Sequence, residues 1–350
     1  MFDTRQLSKT NDFAPHRRPA SDVEFDGVFR GLSADVPHIS PRWFYDDVGS
    51  ALFEAITRLP EYYPTRCELE ILDAHGKQIG ERLGQRTAVI ELGSGSAQKI
   101  GRLLPHLASV RAYRPIDVSN AALQATSLEL VGRFPQLRVD PVHADFSDRD
   151  AMHTFLQRAA GTDDAVLFFP GSTLGNFEVD YAAALLEGYA QGLRPGTPLL
   201  LGVDLVKPRE TLEAAYDDPA GVTAAFNRNM LAHLNRRFNG NFDLAQWRHE
   251  ARWVPRHRRI EMWLRCDEPQ VVQFGEQRIE FAAGAGIHTE NSHKWDRPSL
   301  HDLAETTGWS LQDWWTDRRG WFAQALLVRQ DDQHKADRLT ATNTGEHRPN

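Results

Sequence analysis

The sequence predicts an α/β protein in which a mostly parallel, doubly wound sheet is interrupted by an inserted α+β unit. Three observations lead there. Between residues 87 and 205, short apolar runs alternate with helix-period runs, the pattern of β-α units that build a parallel sheet. A glycine-rich turn, Glu91-Leu92-Gly93-Ser94-Gly95-Ser96, follows the first apolar run. From residue 207 the alternation gives way to a long helical stretch and then to period-two segments. A last helix and two strand candidates follow.

In chain order, residues 87–92 (TAVIEL) form the first strand. Ile100, Leu103, Leu104 and Leu107 then sit at helical spacing within residues 97–107. Residues 112–116 are the second strand, and Ser119 is placed to cap a helix carrying Leu123, Leu128 and Val131. Residues 137–143 are a weaker strand. Residues 165–169 (AVLFF) are wholly apolar, as buried parallel strands are. Leu185, Leu186, Tyr189 and Leu193 define a helix that stops at Pro195-Gly196, and residues 198–205 (PLLLGVDL) form another buried strand.

Residues 210–237 read as helical, with Val222, Phe226, Met230 and Leu234 on one stripe. Residues 247–254, 258–265, 271–274 and 279–281 read as antiparallel strands. In the second, Ile260, Met262 and Leu264 alternate with Glu261, Trp263 and Arg265. A helix after Ser299 and strands over 309–316 and 322–329 return to the main sheet. The expected division is a substrate-binding domain from residues 22–66 and 207–294 and a sheet domain from 67–206 and 295–329. Residues 1–21 and 330–350 are polar tails with too little apolar surface to offset the entropy of ordering.

The 350 residues carry 40 Lys+Arg against 48 Asp+Glu, a net charge of −8. That balance argues against a duplex nucleic acid as partner. Cys67 and Cys266 are too few for a disulfide framework or a structural zinc site. No apolar run approaches the roughly 20 residues of a membrane helix, and Met1-Phe2-Asp3-Thr4-Arg5 opens no secretory signal. The expectation is a cytoplasmic, monomeric enzyme working on a small molecule, with no membrane partner.

Gly93 and Gly95 let the backbone approach a ligand closely, and a helix opening after them would add free N–H groups. Asp117 ends the second strand, where a carboxylate can accept hydrogen bonds from ribose hydroxyls. Asp145 and Phe146 end the third, where an acid and an aromatic can bracket an adenine. A dinucleotide fingerprint would place a third glycine where Gln98 stands. The acidic Glu91 suits a cationic ligand better than a pyrophosphate, and together these favour S-adenosylmethionine over a nicotinamide cofactor. Lys99 either binds the cofactor carboxylate or is a solvated helix residue.

Gly171-Ser172-Thr173-Leu174-Gly175-Asn176-Phe177 follows the fourth strand. The Asn176 amide can hold both a carboxylate and an amine; as a cap or turn residue it would do neither. Tyr45, Tyr62 and Tyr63 are either core packing with a polar tip or a substrate wall. In His288-Thr289-Glu290-Asn291-Ser292-His293-Lys294 a strand spacing puts Glu290 and Ser292 on one face, able to grip a ring with two nitrogens. The same spacing puts His288 and His293 on opposite faces, which disfavours a metal site. The plain alternative is a surface loop returning to the sheet.

Several longer runs stand out: Trp43-Phe44-Tyr45-Asp46-Asp47-Val48-Gly49-Ser50, Arg58-Leu59-Pro60-Glu61-Tyr62-Tyr63-Pro64-Thr65-Arg66, Glu91 to Gly95, Gly171 to Asn176, Gly202-Val203-Asp204-Leu205-Val206-Lys207, Ala215-Tyr216-Asp217-Asp218, Gly221 to Asn227 and Arg259-Ile260-Glu261-Met262-Trp263-Leu264. Together they resemble the histidine-specific Nα-methyltransferases of ergothioneine biosynthesis. The resemblance covers residues 25–329. It implies a class I S-adenosylmethionine-dependent methyltransferase, Rossmann-like, with an inserted substrate-binding domain. It implies trimethylation of the L-histidine α-amine to hercynine through mono- and dimethyl intermediates, without a metal.

By motif, the resemblance gives Tyr62 and Asn176 the substrate carboxylate, assisted by Tyr216. Glu290 and Ser292 take the imidazole, and Met262 lines that pocket. Tyr45 and Asn176 lie near the reacting amine. Gly93, Lys99, Asp117, Asp145 and Phe146 bind the cofactor. His293 departs from the family's pattern. The readings that compete are a same-family enzyme acting on another amine, and a non-catalytic binding module.

Overall fold

The structure is a computed structural model that describes residues 22–162 and 164–331. Of the tails expected at residues 1–21 and 330–350, residues 1–21 and 332–350 lie outside the described residues. Gln330, expected in the second tail, is held: its N–H donates to Gly308 O at 2.9 Å and its amide to Glu305 at 3.0 Å.

The helices and strands run α1 (Asp22–Leu32), α2 (Asp47–Ile56), α3 (Tyr63–Leu83), β1 (Ala88–Leu92), α4 (Ile100–Leu103), β2 (Ala112–Asp117), α5 (Asn120–Arg133), β3 (Arg138–Val139), β4 (Val142–His143), α6 (Arg149–Thr162), β5 (Ala165–Phe169), α7 (Val179–Gly192) and β6 (Pro198–Asp204). Then follow α8 (Arg209–Tyr216), α9 (Val222–Phe238), β7 (Trp247–Val254), β8 (Arg259–Cys266), β9 (Gln270–Phe274), β10 (Gln277–Phe281), β11 (Gly286–His293), α10 (Arg297–Thr306), β12 (Trp309–Thr316) and β13 (Phe322–Arg329).

The main sheet has the order β12-β13-β6-β5-β1-β2-β3, with β4 also on β2. Strands β6, β5, β1, β2, β3 and β4 are parallel, and β13 and β12 run antiparallel at one edge. β1, β5 and β6 are buried along their whole length, which is why their sequences lack alternation. Val89, Val166, Phe168 and Leu200 pack with α3, α4 and α5 on one face. Ile90, Leu167, Phe169 and Leu201 pack with α6, α7 and α10 on the other.

The differences from expectation have local causes. The helix expected over residues 97–107 shrinks to α4 and a 3-10 turn, Leu104–His106, because Pro105 has no N–H to continue it. The glycine turn therefore opens no long helix and gains no macrodipole. The stretch 210–237 splits into α8 and α9. Gly221, at φ 73°, starts α9, and the Asp218 carboxylate accepts from Val222 N at 3.0 Å and Thr223 N at 2.7 Å. Asp140-Pro141 divides the weak third strand into β3 and β4. Composition did not reveal α3, whose buried Cys67, Ile71, Leu72, Ile79 and Leu83 are diluted by charged neighbours. The boundary expected at Arg66 falls in its first turn.

Residues 207–294 supply α8, α9, the β9–β10 hairpin and a three-stranded sheet, β11-β8-β7. The segment before α3 joins them. Phe44 stacks on Phe226 of α9 at 4.4 Å, and residues 37–39 line β11 through Ile39 N to His288 O at 3.0 Å and His288 N to Pro37 O at 2.8 Å. β11 replaces the plain loop among the two readings of residues 288–294. It has a bulge between His288 and Glu290.

Candidate active site

The carboxyl ends of β1, β2 and β4 form the first half of the site. Gly93 follows β1 at φ 72°, a conformation that favours glycine, and a Cβ there would lie 3.4 Å from the Phe146 ring. Asp117, at the end of β2, accepts from Gly95 N at 3.2 Å and Ser119 N at 2.8 Å. Burial pushes its carboxyl up, and those backbone bonds pull it down. Ser119 caps α5 as expected, accepting from Ala122 N at 3.2 Å. Asp145 accepts from Ser147 N at 2.9 Å, and its other oxygen lies 3.6 Å from Arg42. Phe146 packs edge-on against Phe169 and Phe177.

Glu91, inside β1, is 1 % exposed and accepts from the Tyr113 hydroxyl at 2.6 Å. Burial pushes its carboxyl up to about 8, although Tyr113 and Lys99 oppose the shift. Lys99 is not a solvated helix residue: it precedes α4 and pairs with the fully buried Glu68 at 2.6 Å. Glu68 also accepts from Gly171 N at 3.0 Å and from the Gln324 amide at 2.7 Å. Lys99 thus stands between the loops after β1 and β5.

The second half joins the loop after β5 to β11. The 3-10 turn Thr173–Asn176 carries Asn176, whose amide donates to Glu290 Oε1 at 3.0 Å. Glu290 lies across from Met262 on β8, and Ser292 across from Ile260, so both point to one face, as expected. Burial pushes the Glu290 carboxyl up to about 8, opposed by Lys294. Ser292 shares a 2.7 Å hydrogen bond with Tyr216, the last residue of α8. Tyr62 lies 6.1 Å from Tyr216, ring to ring. Burial first, then Glu290, pushes the Tyr45 phenol well above its ordinary value, and burial, Tyr216 and Glu290 do the same for Tyr62. The chain thus brings Tyr45, Tyr62, Asn176, Tyr216, Met262, Glu290 and Ser292 into one neighbourhood.

One expectation is overturned. The bulge at Thr289 restores His288 and His293 to the same face, across from Trp263 and Arg259. That face also carries Glu261 and Asn291, and Arg259 binds both Glu178 and Glu261. Among the described residues no group of three or more His, Cys, Asp or Glu could hold a metal ion. No helix there is long and apolar enough to cross a membrane.

Sequence reasoning missed the support beneath Ser292 and Tyr216. Asp204, at the end of β6, is fully buried and binds Lys294 at 2.8 Å, Tyr63 at 2.7 Å and Lys207. The signal was there: a carboxylate closing the apolar run PLLLGVD needs a buried counter-charge.

A parallel sheet of this order, closed by an antiparallel pair and carrying acids at the ends of β1, β2 and β4, defines a class I S-adenosylmethionine-dependent methyltransferase. The acidic set suits a cationic cofactor, and Ser94 Oγ beside the glycines is buried without a partner, a polar group left for a ligand. A family model described as histidine-specific methyltransferase, SAM-dependent, matches residues 24–329, and the chain belongs to that family. It is 41% identical over 309 residues to the histidine N-alpha-methyltransferase of Mycolicibacterium smegmatis, covering 86% of this chain and 94% of the relative. The corresponding Mycobacterium tuberculosis enzyme is 39% identical over 307 residues, with the same coverage. Ergothioneine biosynthesis protein 1 of Neurospora crassa is 26% identical over 326 residues, 87% of this chain and 36% of that protein. The chain is an enzyme of this type, with S-adenosylmethionine as cofactor.

Proposed function

We propose that this enzyme trimethylates the α-amine of L-histidine to hercynine, the first step of ergothioneine biosynthesis. The observation that carries the reading is the Asn176–Glu290 hydrogen bond at 3.0 Å. It ties the methyl-transfer edge of the sheet to the strand that carries the ring-gripping pair, so one small molecule can meet both. The names of the mycobacterial relatives support the same substrate.

In this reading residues 22–66 and 207–294 are the substrate-binding domain, and residues 67–206 and 295–329 the methyltransferase domain. Gly93, Lys99, Asp117, Asp145 and Phe146 hold the cofactor, which supplies a methyl group on a cationic sulfur. Tyr62 and Asn176 hold the substrate carboxylate; Tyr216, to which the resemblance gave a share of it, spends its hydroxyl on Ser292 instead. Glu290 and Ser292 hold the imidazole against Met262.

The α-amine must shed its proton before it can attack. Tyr45 does not take that proton, because burial keeps its phenol protonated at neutral pH. Tyr45 and Asn176 instead orient the amine, and the proton leaves to water. Fixing the amine in line is worth about 7–11 kcal/mol of barrier. The permanent charge of the trimethylated product is accommodated by the Tyr45 and Tyr62 rings, at about 0.5–2 kcal/mol.

The test is to incubate the protein with S-adenosylmethionine and each common amino acid and to record mass gains. Gains of one, two and three methyl groups on histidine are expected. Gains on another amino acid alone, or on none, overturn the reading.

A further inference from the structure

Behind Ser292 lies a buried polar cluster that methyl transfer itself does not use. The Lys294 side chain is fully buried, and its Nζ meets three acceptors: Asp204 Oδ2 at 2.8 Å, Ser292 Oγ at 2.6 Å and the Tyr216 hydroxyl at 3.0 Å. Three acceptors match the three N–H donors of an ammonium, which has no lone pair to offer in return. Asp204 is fixed further by the Tyr63 hydroxyl, on the same Oδ2 at 2.7 Å, and by Lys207 on Oδ1. Lys207 also donates to Tyr63 at 2.9 Å and to Leu205 O, so its donors are used as well. Among the described residues, Glu290, on the same face of β11 as Ser292, and the adjacent His293 are the other titratable groups that act on Lys294.

Ser292 and Tyr216 both accept from Lys294 and share one proton between them. Two hydroxyls hold two protons, so one is left to point outward. When Tyr216 donates to Ser292, both Ser292 lone pairs are filled and Ser292 can only donate. A hydroxyl that accepts from an ammonium is also polarised to donate. The opposite arrangement would free a Ser292 lone pair, but a ring N–H drawn to it would sit beside the Lys294 cation.

We propose that Lys294 is a positioning residue that makes Ser292 a donor, so that the site takes histidine only with a neutral imidazole whose bare nitrogen faces Ser292 and whose N–H faces Glu290. The inference rests on histidine being the substrate. It adds a protonation and tautomer requirement that the ring-gripping pair alone does not impose.

Calorimetry with S-adenosylhomocysteine present tests it, comparing L-histidine with 2-fluoro-L-histidine, whose ring stays neutral through mildly acidic pH. Taking the ratio of the two Kd values cancels the titrations of the free protein. In the native enzyme the histidine-to-fluorohistidine Kd ratio should rise about tenfold per pH unit below the ring's ordinary value near 6.5. In Lys294→Met the rise should vanish. A flat ratio in the native enzyme, or an unchanged rise in the variant, overturns the proposal. Failure to bind histidine at any pH overturns the substrate reading instead. Should the variant not fold, nitrogen NMR of ring-labelled histidine on the native enzyme decides. Below pH 6.5 one bare and one protonated nitrogen support the proposal, and two protonated nitrogens overturn it.

Discussion

The glycine-turn edge of the sheet and the Glu290–Ser292 side of β11 are both polar, yet they are assembled in different ways. At the first, partners are close in sequence and often main chain: Asp117 meets Gly95 and Ser119, and Glu91 meets Tyr113 on the neighbouring strand. At the second, side chain meets side chain across long separations, 114 residues for Asn176–Glu290 and 141 for Tyr63–Asp204. Strand order alone delivers the first. The second exists only when the inserted unit is docked, so its integrity reports on tertiary structure as well as chemistry.

Substitutions should therefore separate the two regions. The largest effect is expected for Glu290→Ala, which removes the proposed ring acceptor and takes from the Asn176 amide its Glu290 partner. Histidine kcat/KM should fall on the order of 100-fold, while calorimetric affinity for S-adenosylhomocysteine stays within about threefold. Equal losses in both would mean that the regions are not independent.

Gly93→Ala should do the reverse, weakening the cofactor analogue about tenfold, because a left-handed backbone costs an L residue roughly 1–2 kcal/mol and the new Cβ would press on Phe146. Its histidine affinity should be unchanged.

A subtler effect concerns pH. Burial raises Glu290 to about 8, so the unfolded chain ionises this residue before the folded one does. Its stabilising contribution is complete below the unfolded value near 4.5 and is lost as pH rises through about 8. Glu290→Gln cannot ionise. The Tm of the ligand-free variant should gain on that of the native chain between pH 5 and 8 and then level off. Taking the difference removes the opposing trend of His293, which burial lowers to about 4. The smallest effect is expected for Arg42→Ala. The exposed 3.6 Å pair with Asp145 is worth at most about 1 kcal/mol, so cofactor affinity should change less than about fivefold.

The same contrast explains what could be read beforehand. Strands β1, β5, β6, β8 and β13 were legible because burial writes itself into continuous or alternating apolar residues. Gly93, Asp117 and Asp145 were legible because strand ends place them. Lys99 pairing with Glu68, and Asp204 pairing with two lysines, were not legible, since neither partner carries a local mark of the other. The gathering of Tyr62, Tyr216 and Met262 rested on the family resemblance, not on spacing. The faces of His288 and His293 were misread because periodicity assumes an unbroken pleat, and no residue type announces a bulge.

That bulge gives the pocket a dependence on counting. Upstream of Thr289 the strand is anchored to residues 37–39, and downstream Lys294 is tied to Asp204. Between two fixed anchors, a single added residue decides which side chains look inward. Pairing the same residues in an unbroken pleat would keep every functional group in the chain, yet set Glu290 across from Glu261 and Ser292 across from Arg259. Redesign of this pocket for another ligand must therefore preserve that bulge before it alters composition.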